Sequence, residues 1–234
     1  MMFLVLVLPL LVGSTPISQE TDCSDVYANG QTLSGVYTIY PAGETPVQVY
    51  CDMGCLGSQS EDGRWTVIQR RMDGSVNFYR AWDAYKNGFG DMNGEYWLGL
   101  ENIYQITWSQ RYMLRVEMED FDGGRVNAGY ALFYIDSELQ KYRLHISGYI
   151  DGGAGDSLIN SNEKEFGTFD KDINNCAKTY EGAFWFNNCF QAHPNGVYKW
   201  GSGVAAYTGV HWYHWKGCYY SLKSIAMKIR RVSL

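Results

Sequence analysis

Between Met113 and Asp120 the chain alternates without interruption: Leu114, Val116 and Met118 interleave with Arg115, Glu117 and Glu119. A side-chain period of two places one set on each face of a strand, so this segment belongs in a sheet with one buried and one wet face. Wet faces of this kind are a property of antiparallel sheets. Near the end, Ile225, Met227 and Ile229 alternate with Ala226, Lys228 and Arg230, which predicts a late strand returning to the same sheet. With 46% hydrophobic and 16% aromatic residues in 234, the chain can build a real core, and a disordered chain is excluded. The net charge is −6, and no stretch is markedly basic. That composition argues against a nucleic-acid or anionic-membrane surface.

Met2 to Val12 is an uncharged apolar run followed by Gly13, Ser14 and Thr15. It is too short for a bilayer core, which needs roughly 20 residues, and fits the central region of a secretory signal peptide. Residues 1–18 are therefore expected to be a leader, cleaved between about Ser14 and Ser18, with 19–234 as a single secreted domain. No other apolar run approaches spanning length. Secretion turns the six cysteines, at 23, 51, 55, 176, 189 and 218, into a disulfide question. Six cysteines allow 15 pairings, and spacing alone does not choose among them.

Asp22 precedes a short helical pattern that Asn29-Gly30 ends, and strands are expected at Val36–Tyr40, Val47–Cys51 and Trp65–Arg70. Helices are expected near Trp82–Lys86 and Tyr96–Tyr104, and further strands at Gly129–Ile135 and Arg143–Ser147. From Asp151 to Trp215 the chain is rich in Gly, Asn, Asp and aromatics with little periodicity. So long an irregular stretch inside a compact domain points to function. It contains Asp170-Lys171-Asp172, whose two carboxylates can converge on a hard cation such as Ca²⁺, with carbonyls completing an oxygen shell. It also contains His211-Trp212-Tyr213-His214-Trp215, expected to be a packed aromatic cluster with partly exposed histidines. No Ser-His-Asp, Cys-His or paired-carboxylate arrangement is readable, so an enzyme is not expected.

Several segments, in order, carry a resemblance. They are Cys51-Asp52-Met53, Gly63 to Arg71, Gly94 to Leu100, Asp151 to Leu158, Phe169 to Asp172, Asn175-Cys176-Ala177, Gly182 to Phe186, Asn195 to Tyr198 and Met227 to Arg230. Together they resemble the fibrinogen-like (fibrinogen C-terminal) domain family over essentially everything after Asp22. The resemblance implies an α+β fold: a twisted antiparallel sheet, short helices and an irregular lobe that binds Ca²⁺ and ligand. It implies bridges Cys23–Cys51 and Cys176–Cys189, leaving Cys55 and Cys218 to pair with each other or between chains. The implied calcium ligands are Asp170, Asp172 and the chain around Ile173 and Asn174.

Lectins of the family hold acetyl groups in a small pocket beside the second bridge. Carried across, its wall is Tyr180, Cys189, Phe190, Ala206 or Tyr207, and Cys218, with a cis peptide at Asn188–Cys189. Phe190 stands where the family often has His and removes a donor; Cys218 stands where relatives place a bulky aromatic. The implied role is a secreted matrix-recognition protein of adhesion type that acts as a homo-oligomer and binds microfibril, elastin, fibrillin or collagen partners. The alternative is a lectin-like innate immune protein for acetylated glycans.

Overall fold

The computed structural model describes residues 19–54, 63–171 and 174–232. The expected leader, Cys55, Asp172 and Ile173 lie outside the described residues.

The chain opens with helix α1 (Cys23–Ala28), whose first N–H groups are met by Asp22: its Oδ1 accepts from Ser24 N (2.8 Å) and Asp25 N (3.1 Å). Strands β1 (Gly35–Ile39), β2 (Val47–Asp52) and β3 (Trp65–Arg71) follow as an antiparallel set. Helix α2 (Trp82–Asn87), the short strands β4 (Phe89–Gly90) and β5 (Tyr96–Trp97), and helix α3 (Leu100–Thr107) lie beside it. The single helix expected at Tyr96–Tyr104 is therefore two elements. Tyr96 and Trp97 pair with β3 and β4, and Gly99 (φ 105°) turns the chain against the backbone of Asn87 and Gly88. A side chain there would meet that backbone at 2.9 Å, so the corner requires glycine and a helix cannot run through it.

Strands β6 (Tyr112–Glu119), β7 (Arg125–Ile135) and β8 (Leu144–Gly152) form a long antiparallel meander. Every second residue of β6 is buried, in the phase read from the sequence. The irregular lobe contributes a 3-10 turn (Ile159–Ser161), helix α4 (Cys176–Thr179), helix α5 (Tyr213–Lys216) and two small ladders. Strand β9 (Ala192–His193) pairs with β11 (His211–Trp212), and β10 (Gly201–Ser202) with β12 (Tyr220–Ser221). The last strand, β13 (Ser224–Arg231), enters the middle of the main sheet, whose order is β1-β2-β3-β13-β6-β7-β8. Ile225, Met227 and Ile229 are buried there.

One core runs through both halves. Trp97, Phe166 and Trp185 meet with ring centroids 5.1 to 6.2 Å apart, so the lobe is built on the same aromatic layer as α2 and β5. Polar contacts tie the lobe to the sheet as well: Arg71 Nη1 donates to the carbonyls of Pro194 (3.2 Å) and Gly196 (2.6 Å), and Gln69 Nε2 donates to Pro194 O and Asn195 Oδ1.

Candidate functional site

Helix α4 presents Cys176 to Cys189, and the two are joined by a disulfide with Cα atoms 5.5 Å apart. Cys23 and Cys51 form a second bridge, tying α1 to β2. The Asn188–Cys189 peptide is cis. Directly after it, Phe190 meets Tyr180 edge to face (5.0 Å, 80°) and Tyr207 likewise (5.9 Å, 78°). Tyr180 and Tyr207 close the triangle at 6.4 Å. Cys218 completes the cluster: its carbonyl accepts from Tyr207 N (2.7 Å). Burial, and then the adjoining Cys218 thiol, push the Tyr207 hydroxyl above its ordinary pKa.

Residues from three separate loops thus converge on the bridge, all of them partly exposed. Of the two alternatives in the 206–207 loop, Tyr207 supplies the ring, held at φ 59°, while Ala206 is exposed. Cys218 forms no disulfide among the described residues, and its suggested partner Cys55 lies outside them.

Behind the cluster lies a feature that sequence reading missed. His193 and His211 sit opposite each other in the β9–β11 ladder, both buried. His193 lies 4.4 Å from the Phe190 ring and 5.5 Å from Phe186. None of their four ring nitrogens has a hydrogen-bond partner among the described residues. Burial lowers the pKa of His193 to about 3, with His211 and Arg71 adding to the effect, and burial lowers that of His211 to about 4. Both are neutral aromatic packing at physiological pH. The signal available was the His at 193, three residues after Phe190, but only the ladder reveals its burial. His214 behaves differently: it is exposed, and its Nδ1 lies 2.9 Å from Ser157 Oγ. The chain passes from strand to helix between Trp212 and Tyr213, so the two histidines of the 211–215 segment point into different surroundings and do not converge.

The proposed cation loop is placed by α2. Asp170 Oδ1 accepts from Trp82 N (3.0 Å) and from Thr168 Oγ1 (2.6 Å). Partial burial pulls its carboxyl upward, but the Thr168 and Trp82 hydrogen bonds outweigh this and hold the pKa below its ordinary value. Asp170 is therefore ionised, as a Ca²⁺ ligand must be, and the oxygen donors of Asp170 and Asn174 are of the hard type that Ca²⁺ takes. Asn174 is exposed, and Asp172 between them is outside the described residues. Among the described residues there is no group of three or more His, Cys, Asp or Glu that could hold a metal.

Known proteins share both this sequence pattern and this architecture. The sequence profile of the family described as "Fibrinogen beta and gamma chains, C-terminal globular domain" matches residues 19–232. The chain is 49% identical to microfibril-associated glycoprotein 4 of Bos taurus over 220 residues, covering 90% of this chain and 84% of that protein. Among solved structures, it is similar to the fibrinogen-like globe domain of human ANGPTL2, at 42% identity and a TM-score of 0.84, covering 90% of this chain and 98% of that one. It is also similar to a lamprey fibrin D-dimer complexed with the peptide Gly-His-Arg-Pro-amide, at 32% identity and a TM-score of 0.83, covering 94% and 77%. These relatives are recognition and structural proteins, not enzymes.

Proposed function

Because this chain belongs to the fibrinogen C-terminal globular domain family, we propose that it is a secreted extracellular-matrix recognition protein that binds its partner at the aromatic cluster beside Cys176–Cys189. The observation that carries this reading is the convergence of Tyr180, Phe190, Tyr207 and Cys218, all partly exposed, on one disulfide. The similarity to a microfibril-associated glycoprotein supports matrix partners of the elastin, fibrillin or collagen type. That a related fibrin domain was solved with a short peptide supports uptake of a protein segment. No helix among the described residues is long and apolar enough to cross a membrane.

The proposed mechanism is preorganisation. The bridge and the hydrogen bonds from Trp82 and Thr168 to Asp170 hold the lobe's loops before any partner arrives, so little ordering entropy is lost on binding. Ca²⁺ held by Asp170, Asp172 and Asn174 would supply a further crosslink within the loop leading to Cys176. A single small site binds weakly, and homo-oligomers presenting several copies would convert weak contacts into useful avidity.

The second reading, capture of acetylated glycans, is favoured by the cage itself, since three aromatic rings around a bridge suit a methyl group. It is disfavoured by Phe190, whose ring offers no donor to an amide. Immobilised tropoelastin, fibrillin and collagen, run beside an array of N-acetylated sugars with and without calcium, separate the two. Retention on a matrix protein that Tyr207→Ala abolishes supports the first. Calcium-dependent retention on acetylated sugars alone would replace it with the second.

A further inference from the structure

The end of the β7–β8 hairpin, the segment after Asn162 and the cation loop, through Lys171 and Asn174, line a pocket of about 360 Å³. Its walls carry Lys141, Arg143, Lys164 and Lys171, and its apolar part is Phe166 and Phe186. Two carboxylates, Glu163 and Glu165, also line it, so among the described lining residues cations exceed anions by four to two in a chain whose net charge is −6. Glu165 is already engaged, by Lys141 (2.7 Å) and by Arg143 (3.6 Å). The Lys164 ammonium has no ion-pair partner among the described residues, and Lys171 rests over the Trp82 ring at 4.7 Å. Arg143 Nε is buried without a hydrogen-bond partner among the described residues, and a buried donor left so is costly.

The walls are also fixed in place. Leu144 N donates to Lys164 O (3.0 Å), Glu163 N to Leu144 O (2.7 Å) and Phe166 N to Lys141 O (2.9 Å). Lys141 and Glu163 adopt left-handed backbone conformations (φ 50° and 61°) that turn the chain around this rim. The four cations come from segments 141–143, 164 and 171, which is why no basic run is visible along the sequence.

We propose that this pocket is a second binding site, distinct from the aromatic cluster, for an acidic saccharide: a sugar bearing a sulfate ester or a carboxylate. The oxyanion fits between the lysine ammoniums and the Arg143 guanidinium. The pocket floor is closed by the buried Phe166 and Phe186, and the volume suits a single residue of a longer chain. The inference does not rest on the matrix reading: the pocket shares no residue with Tyr180, Phe190, Tyr207 or Cys218.

The test uses the full chain, expressed through its own leader and purified. The probes are a chondroitin sulfate hexasaccharide, its chemically desulfated counterpart and a neutral N-acetylglucosamine hexamer, titrated calorimetrically at about 50 and about 150 mM salt. The sulfated probe is expected to bind, more weakly at the higher salt. Lys164→Ala combined with Lys171→Ala is expected to weaken it at least tenfold, while Lys178→Ala, on the exposed side of α4, leaves it unchanged. Equal binding of the desulfated probe would identify the uronate carboxylate as the recognised group, and its loss the sulfate. Lysine acetylation footprinting of the unaltered protein guards against a misfolded variant: Lys164 and Lys171 should be protected by the sulfated probe and Lys178 not. No binding of either acidic probe, equal binding of the neutral hexamer, or protection spread over all lysines would overturn the proposal.

Discussion

Arg71 and Glu95 form an ion pair (Nε to Oε1, 3.4 Å) in which both side chains are almost wholly buried, at 1% and 0% exposure. Glu95 also accepts N–H groups from Met72, Asp73, Gly74 and Val76, closing the turn after β3. Arg71 reaches the other way, to the carbonyls of Pro194 and Gly196 in the lobe. The guanidinium thus joins sheet, turn and lobe, and its charge is tolerable there only because Glu95 faces it.

Glu95→Gln is expected to leave Arg71 as an uncompensated buried charge and to cost about 3–5 kcal/mol, the range for breaking a buried pair from one side. Urea denaturation followed by tryptophan fluorescence measures this. A loss below about 1 kcal/mol would mean that the backbone contacts alone hold the guanidinium.

Acid should destabilise the fold before the carboxylates titrate. His193 and His211 have folded pKa values of about 3 and about 4, below the ordinary value of 6.5. The unfolded chain therefore binds more protons between these limits, so their contribution is complete above pH 6.5 and is lost as pH falls. The slope is roughly 1.4 kcal/mol per pH unit for each histidine. Denaturation curves at pH 7, 6 and 5 should show falling stability, and His193→Gln should flatten the profile. An unchanged midpoint from pH 7 to 5 contradicts the buried neutral pair.

Replacing Phe190 separates the two binding readings. Phe190→Ala removes the ring shared by Tyr180 and Tyr207 and should weaken capture of the matrix partner roughly tenfold or more, as loss of a central aromatic does. Phe190→His restores a donor beside the bridge and is expected to raise retention of N-acetylated sugars on an array. Identical glycan profiles for the unaltered protein and the Phe190→His variant would remove the acetyl reading.

The Cys176–Cys189 bridge closes a loop with a sequence separation of 13. Serine at both positions should cost about 3 kcal/mol by loop-closure entropy. Its larger consequence should be local, with amide exchange around Tyr180 and Phe190 accelerating while β6 and β13 stay protected. Uniform acceleration would show that the lobe and sheet unfold as one unit.

Calcium is expected to add protection to the same segment. Calorimetric titration of the chain with Ca²⁺ should give a binding isotherm that Asp170→Ala weakens, and chelation should speed exchange from Asn174 to Tyr180. Absence of binding heat in the unaltered chain would remove the ion from the mechanism.

Local features are legible along the chain. The alternation at Met113–Asp120 and at Ile225–Arg230 specifies two strands with their buried faces, because a period of two is a property of neighbouring residues. Asp22 ahead of α1 specifies a capped helix for the same reason. The family motifs carry the two bridges and the residues of the aromatic cluster, since they follow one another in a fixed order around Cys176 and Cys189. The segment Tyr96–Tyr104 misleads because a helical pattern there continues across Gly99, whose turn is dictated by the Asn87–Gly88 backbone pressing on it.

The sequence by itself determined an antiparallel sheet, a capped first helix, the aperiodic lobe and the family. Only the tertiary structure decided that β13 enters between β3 and β6, that Arg71 and Glu95 are buried together, that His193 faces His211, and that Lys141, Arg143, Lys164 and Lys171 line one pocket. Periodicity and capping are short-range and leave a trace in adjacent residues. Burial, charge pairing and pocket formation join segments far apart in the chain, as between Arg71 and Gly196, and such pairs leave no pattern along a single chain.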